Sequence, residues 1–252
     1  MLTAVEDGDA KGLAVMMRQN PGFDMNMDHG NDRTLLHEAC DGDWRSAVIP
    51  LLLAHPDIDV NVKDINGHTP FYSACWGSTS CVREMLKDPR VKVNEPAYGG
   101  RTPLVNAAWY DSLDIIKWWI ASGREMDLEI PGDYETDAIG MAKGRGKTEV
   151  VTLLEKFKEN PVETRHAVRV EMGWYDEAAA EMFALVVYVS DGLLQINDTT
   201  TPSPAARYFS IAAQLLLELQ MVLCLRQVRS DKEIIPGDES EVAFKKLARR
   251  LW

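Results

Sequence analysis

Several stretches of this 252-residue chain hold residue types that could do chemistry, and the spacing of each decides what it is. Gly140 to Thr148 reads GMAKGRGKT, the ingredients of a loop that cradles phosphate on glycine backbone N–H groups beside a lysine and a hydroxyl. That loop needs four residues between its outer glycines so that the amides converge on one anion, and five stand here. His29, His55, His68 and His166 show no metal-ligand spacing, and His37 has no converging partners. Glu6-Asp7-Asp9, Asp41-Asp43 and the acidic run Asp238 to Glu241 fit turns and helix starts better than acid–base pairs. The four cysteines, Cys40, Cys75, Cys81 and Cys224, lack the second close pair that zinc requires. Gly-x-Ser-x-Gly elbows and paired histidine–glutamate metal motifs are absent. The expectation is a chain without catalytic residues, metal or cofactor, and not an enzyme.

Such a chain acts through its surface, and the elements that would shape that surface repeat. Segments starting at Thr34, Thr69, Thr102 and Asp137 read TLLHEAC, TPFYSAC, TPLVNAA and DAIGMAK. Their aligned alanines, Ala39, Ala74, Ala107 and Ala142, are 35, 33 and 35 residues apart. Asn26, Asn61, Asn94 and Asp127 close the units in step with them. A threonine followed by proline suits a helix start, because threonine caps and proline sits at the first helical position, whose N–H has no partner. A second apolar helix follows in each unit, such as Ile115, Ile116, Trp119 and Ile120, with Gly123 where a left-handed residue ends it. Asn66-Gly67, Gly99-Gly100 and Pro131-Gly132 suit tight turns between units. Pro50 should kink or shorten the second helix of its unit. Trp119 takes a leucine position in the core, and Trp118 should face outward.

Self-similarity at this period, with the threonine-proline start and paired small residues, resembles the ankyrin repeat over about residues 1–158. The resemblance implies an all-α fold: an ankyrin-repeat solenoid of five unequal repeats joined by short β-hairpin turns. Repeats of this kind bury their apolar faces only by stacking. His37 fills the motif histidine position, whose usual role is hydrogen bonding between turns. The resemblance also implies that partners contact the concave side, formed by the hairpin tips and the exposed ends of the inner helices. Asp41, Trp76, Trp109, Tyr110 and Arg145 fall at those helix ends. Asn31, Arg33, Ile65, His68, Tyr98, Arg101 and Tyr134 fall at the tips. The expected partner-binding set is Trp76, Trp109, Tyr110, Tyr98, Arg101, His68, Ile65 and Tyr134, because aromatics presented together on a rigid face make interface hot spots.

After about Asn160-Pro161 the repeat markers stop. Residues 159–252 read as a helical domain packed on the last repeat, with helices near 163–171, 176–189, 204–228 and 239–251. The third carries Arg207, Ser210, Gln214 and Glu218 as one polar stripe on an apolar helix, the pattern of a buried helix. Its apolar run Met221 to Leu225 is far shorter than the roughly 20 residues a bilayer crossing needs. Composition fits a protein of the cytoplasm or nucleus: 46% of residues are apolar, and no secretory signal opens the chain. The net charge of −12, without a basic stripe, argues against nucleic acid and membrane surfaces as partners. A protein–protein interaction module or adaptor is the leading expectation. Two alternatives are a ubiquitin-ligase substrate adaptor, because Leu216 to Leu223 is similar to an F-box core that lacks its proline, and an enzyme with its site in 161–252.

Overall fold

The computed structural model describes residues 1–128, 137–191, 208–209, 211–215, 217–228, 235, 240–245 and 247. They belong to two compact units, Met1–Val168 and Arg169–Trp252.

In the first unit the chain alternates between two rows of helices. The inner row is α1 (Leu2–Glu6), α3 (Leu35–Cys40), α5 (Pro70–Ala74), α7 (Pro103–Trp109) and α9 (Ala138–Gly144), each packed on the next. The outer row is α2 (Ala10–Gln19), α4 (Ile49–Leu53), α6 (Thr79–Met85), α8 (Leu113–Ser122) and α10 (Thr148–Glu159). The all-α expectation holds, with no strand among the described residues. Ala39, Ala74, Ala107 and Ala142 are fully buried where inner helices meet, which explains the recurrence of a small residue there.

The helix starts are made as the residue types require. Thr69 Oγ1 accepts from the Tyr72 N–H at 3.2 Å and Thr102 Oγ1 from Val105 at 3.3 Å, with Pro70 and Pro103 at the first helical position. Asp137 takes over the cap of α9, accepting from Gly140 at 2.6 Å. Gly140 thus lies inside a helix, and Lys147 pairs with Asp111 at 3.2 Å, so the glycine-rich stretch is no phosphate cradle. Gly123 ends α8 at φ 78°. Pro50 splits its outer element into a 3-10 segment, Asp43–Val48, followed by the short α4.

Two sets of hydrogen bonds tie each repeat to the next. Asn26 donates to Asp57 O (2.8 Å) and accepts from Asp59 N (2.8 Å). Asn61 does the same with Arg90 O (2.9 Å) and Lys92 N (2.8 Å), and Asn94, more loosely, with Glu125 O (3.5 Å) and Asp127 N (3.2 Å). Arginines reach the other way, onto carbonyls at the end of the preceding outer helix, where cation and helix dipole attract. Arg90 donates to Leu53 O, Arg124 to Leu86, Asp88 and Val91 O, and Arg165 to Ile120 O.

Trp119 is buried, its indole N–H donating to Glu125 O at 3.1 Å and its ring edge-on to Phe71. Trp118, on the same helix, is half-buried, with the Arg83 guanidinium 4.2 Å from its ring centroid. The cysteines are free and buried, and burial pushes the Cys81 thiol up to about 12.

Helix α11 (Pro161–Glu171) begins at the proline rather than two residues after it, since proline is accommodated at a helix's first position. In the second unit α12 (Trp174–Ser190) packs on α13 (Leu217–Gln227) around Ala180, Phe183, Ala184, Cys224 and Leu225. The single helix expected over 204–228 is interrupted at 213–215. There the carbonyls of Ala213 and Leu215 accept from Ser190 Oγ and Gln220 Nε2. Pro131-Gly132, Arg207 and Ser210 lie outside the described residues.

Candidate protein-binding surface

The surface grows from the turns that precede each inner helix. In three of them the chain reverses through one backbone pair: His29 N to Arg33 O, Asp64 N to His68 O and Ala97 N to Arg101 O, at 2.8 to 2.9 Å. Successive tips bond to each other, Ile65 N to Asn31 O and Tyr98 N to Asn66 O. The second contact demands a glycine at 67. Its φ is +79°, and a Cβ there would stand 2.5 Å from the Tyr98 nitrogen. Asp64, almost fully buried, accepts from the Asn66 and His68 N–H groups and lies 3.3 Å from His68 Nδ1. His37 joins one turn to the next: Nδ1 accepts from the Thr34 N–H (3.1 Å), which leaves the proton on Nε2 to donate to His68 O (3.0 Å). Burial, reinforced by the charge of Arg33, holds the His37 pKa below its ordinary value despite that hydrogen bond.

Each turn also clasps the far end of its own inner helix. The residue just before the cap touches the one eight positions later. Arg33 meets Asp41 at 2.5 Å, with Glu38 at 2.7 Å. His68 stacks on Tyr72 and meets Trp76 edge-on at 5.5 Å between ring centroids. The Arg101 guanidinium lies 4.8 Å from the centroid of Trp109. Burial opposes the charge of Arg33, but the hydrogen bonds to Glu38 and Asp41 outweigh it and raise its pKa. Arg145, from the following repeat, adds a second guanidinium 3.3 Å from the Trp109 centroid.

Residues 1–97, which hold the first of these capped and cross-linked repeats, match the family model for ankyrin repeats in three copies. This segment is an ankyrin-repeat array. The chain is also similar to SMC5-SMC6 complex localization factor protein 1, 49% identical over 55 residues to the proteins of Bos taurus and Homo sapiens and 46% to that of Mus musculus. Each match covers 21% of this chain and 5% of the relative's length.

The ankyrin array places the sequence-derived residues as follows. Ile65 (53% exposed) and Tyr98 (67%) stand at adjoining tips, with Lys63 Nζ 5.8 Å from the Tyr98 ring. Trp76 (43%) and Tyr110 (53%) stand at helix ends; His68, Arg101 and Trp109 are half-buried. His68 with Trp76, and Arg101 with Trp109, come together as described, whereas no ring contact joins Trp76 to Trp109 or Tyr110 among the described residues. Tyr134 lies outside the described residues. The sequence reading missed Trp44, which is 67% exposed, lies over Gly42, and donates to Glu6 O at 3.3 Å beside Arg45. Its signal was a lone indole at a position held by Thr79 and Ser112 in the next two repeats.

Proposed function

We propose that the chain is a non-catalytic interaction module or adaptor that holds a protein partner on the ankyrin face made of turn tips and inner-helix ends. The binding set is Trp76, Trp109, Tyr110, Tyr98, Arg101, His68 and Ile65, with Tyr134 as the eighth member from sequence. The observation that carries this reading is the exposure of Ile65, Trp76, Tyr98 and Tyr110 on consecutive repeats, each anchored to a rigid clasp or tip. Exposed apolar groups on one preorganised face mark interaction sites, and aromatic anchors dominate their energy. Ankyrin repeats are protein-interaction modules, and the relatives are named as localization factors of a complex, which agrees with an adaptor role. Among the described residues no helix is long and apolar enough to cross a membrane. The cytoplasmic or nuclear placement belongs to this same reading.

The test is affinity purification of the full chain against its Trp76→Ala/Trp109→Ala double variant. Loss of a hot-spot indole should weaken partner capture by at least about 2 kcal/mol while the thermal unfolding curve hardly moves. A double variant that keeps its partner places the recognition surface elsewhere.

A further inference from the structure

Trp44 is the most exposed indole among the described residues, at 67%, and it stands in the 3-10 segment Asp43–Val48, outside the binding set proposed above. Glycine makes the room it occupies. A Cβ on Gly42 would stand 2.6 Å from two ring carbons, while the Gly42 φ of −163° is one that any residue adopts, so glycine there serves the ring and not the backbone. The indole N–H donates to Glu6 O at 3.3 Å, and a Cβ on Gly8 would meet Trp44 O at 2.5 Å, so repeats one and two together hold the ring. Exposed acids lie along the same stretches: Glu6 and Asp7 in repeat one, and Asp43 next to Trp44 in the chain. None of the three makes an ion pair among the described residues, and Asp43 accepts from the neutral Ser80 N–H at 2.7 Å. The Arg45 guanidinium does approach the indole, 5.1 Å from its centroid. Its charge is already matched, because Arg33 and Arg45 share the carboxylates of Glu38 and Asp41.

We infer that Trp44, with Glu6, Asp7 and Asp43, forms a second docking surface, which takes an arginine side chain from a basic segment of a protein partner. This surface goes beyond the interaction face above and does not depend on it. The ring is held in place and open to solvent, and an indole attracts a cation more strongly than the other aromatic side chains do. Arg45 shows that this ring accepts a guanidinium. Arginine fits better than lysine, because its planar group stacks on an aromatic face and pairs with a carboxylate by two hydrogen bonds. Charge complementarity selects the occupant. The acids beside the ring are uncompensated in a chain whose net charge is −12, so a basic segment is drawn in. A nucleic-acid strand could stack its bases on an indole, but its phosphates need cations and would meet carboxylates here.

The probe is a labelled, N-acetylated and C-terminally amidated peptide of alternating arginine and glycine, compared with its glutamine analogue by fluorescence anisotropy on the full chain at low salt. The arginine peptide should bind and the analogue should not. Trp44→Ala should weaken binding by about fivefold or more, the scale of one lost cation–π contact. Gly42→Ala should weaken it as well, because the added methyl pushes the ring off its seat while the indole stays in the chain. Glu6→Gln/Asp7→Asn alters exposed side chains only, and should weaken binding by about threefold or more with a shallower salt dependence. Circular dichroism checks that Trp44→Ala is folded, and the other two variants carry the test if it is not. Equal binding of the two peptides, binding indifferent to both Trp44→Ala and Gly42→Ala, or stronger binding of a labelled single-stranded oligonucleotide would each overturn the site. Trp76→Ala/Trp109→Ala separates the two surfaces. Peptide binding kept by that variant and lost by Trp44→Ala supports a second surface; the reverse result puts the cation on the first face and removes this one.

Discussion

Replacing Asn61 by alanine removes two hydrogen bonds between repeats and little else. The side chain donates to Arg90 O at 2.9 Å and accepts from Lys92 N at 2.8 Å, both good distances. Each neutral bond contributes a net of about 1 kcal/mol, and because Asn61 is only half-buried, water can satisfy the freed backbone groups without a full desolvation penalty. The expected loss is about 2 kcal/mol. Asn94 makes the equivalent bonds at 3.5 and 3.2 Å, so Asn94→Ala should cost about half as much. For a chain of this size 1 kcal/mol corresponds to about 2–4 °C in Tm, which puts Asn61→Ala near 4–8 °C below the parent protein. Asn61→Asp keeps the acceptor, loses the donor, and sets a carboxylate against the Arg90 carbonyl, so at neutral pH it should be no better than alanine. Urea and thermal unfolding followed by far-ultraviolet circular dichroism read these differences. The reasoning is refuted if Asn61→Ala stays within about 0.5 kcal/mol of the parent, the range of an indifferent surface change, or if Asn94→Ala proves the more damaging.

Three further outcomes follow from the packing and the pKa shifts. Ala107→Leu should destabilise by about 1–3 kcal/mol through overpacking where α7 meets its neighbours, and an unchanged urea midpoint would contradict the burial of that alanine. Arg124→Ala removes hydrogen bonds to three carbonyls, of which Asp88 O keeps the Val91 N–H, and should cost about 2 kcal/mol, read as a lowered unfolding midpoint, while the exposed Lys143→Ala serves as a near-neutral control. His37 is held neutral in the fold, so the unfolded chain binds its proton more tightly. Its contribution is fully present above the ordinary histidine pKa, about 6.5, and is lost as pH falls below it. The stability of His37→Gln relative to the parent should therefore improve on going from pH 7 to pH 5, and a constant difference would show that His37 does not titrate this way.

The repeating backbone was legible because its demands are local. A threonine cap, a proline at the first helical position, a small residue at each inner contact and Pro50 in an outer helix act within one turn of their own position. The clasps were not, although their members were. Periodicity marks His68 and Trp76, or Arg101 and Trp109, as equivalent places; whether those side chains reach each other depends on the turn that brings residue eight back over residue zero. Arg145 illustrates the same limit across repeats, since its place over Trp109 is set by the stacking of α9 on α7. Helical phase turns Trp118 outward but carries no information about the Arg83 guanidinium that lies over it from the preceding repeat. The helix expected over 204–228 is interrupted at 213–215, and an apolar pattern cannot show the hydrogen bonds that Ser190 and Gln220 supply there.

The asparagine and arginine bonds have one end that depends on residue type and one end that does not. Their receiving groups are main-chain carbonyls and amides, present whatever residue stands there. Whole-unit excision is therefore a small edit to the framework. Removing residues 62–94 would set Asn61 directly before Glu95, in the place of Asn94, and hand it the Glu125 carbonyl and the Asp127 amide. Arg124 would inherit the Leu53 carbonyl that Arg90 now caps. The same cut would delete Trp76 and the His68 clasp while leaving Trp109 and its two guanidiniums in place. Duplication and loss of single units can in this way change which side chains the face presents without asking the scaffold to be reinvented.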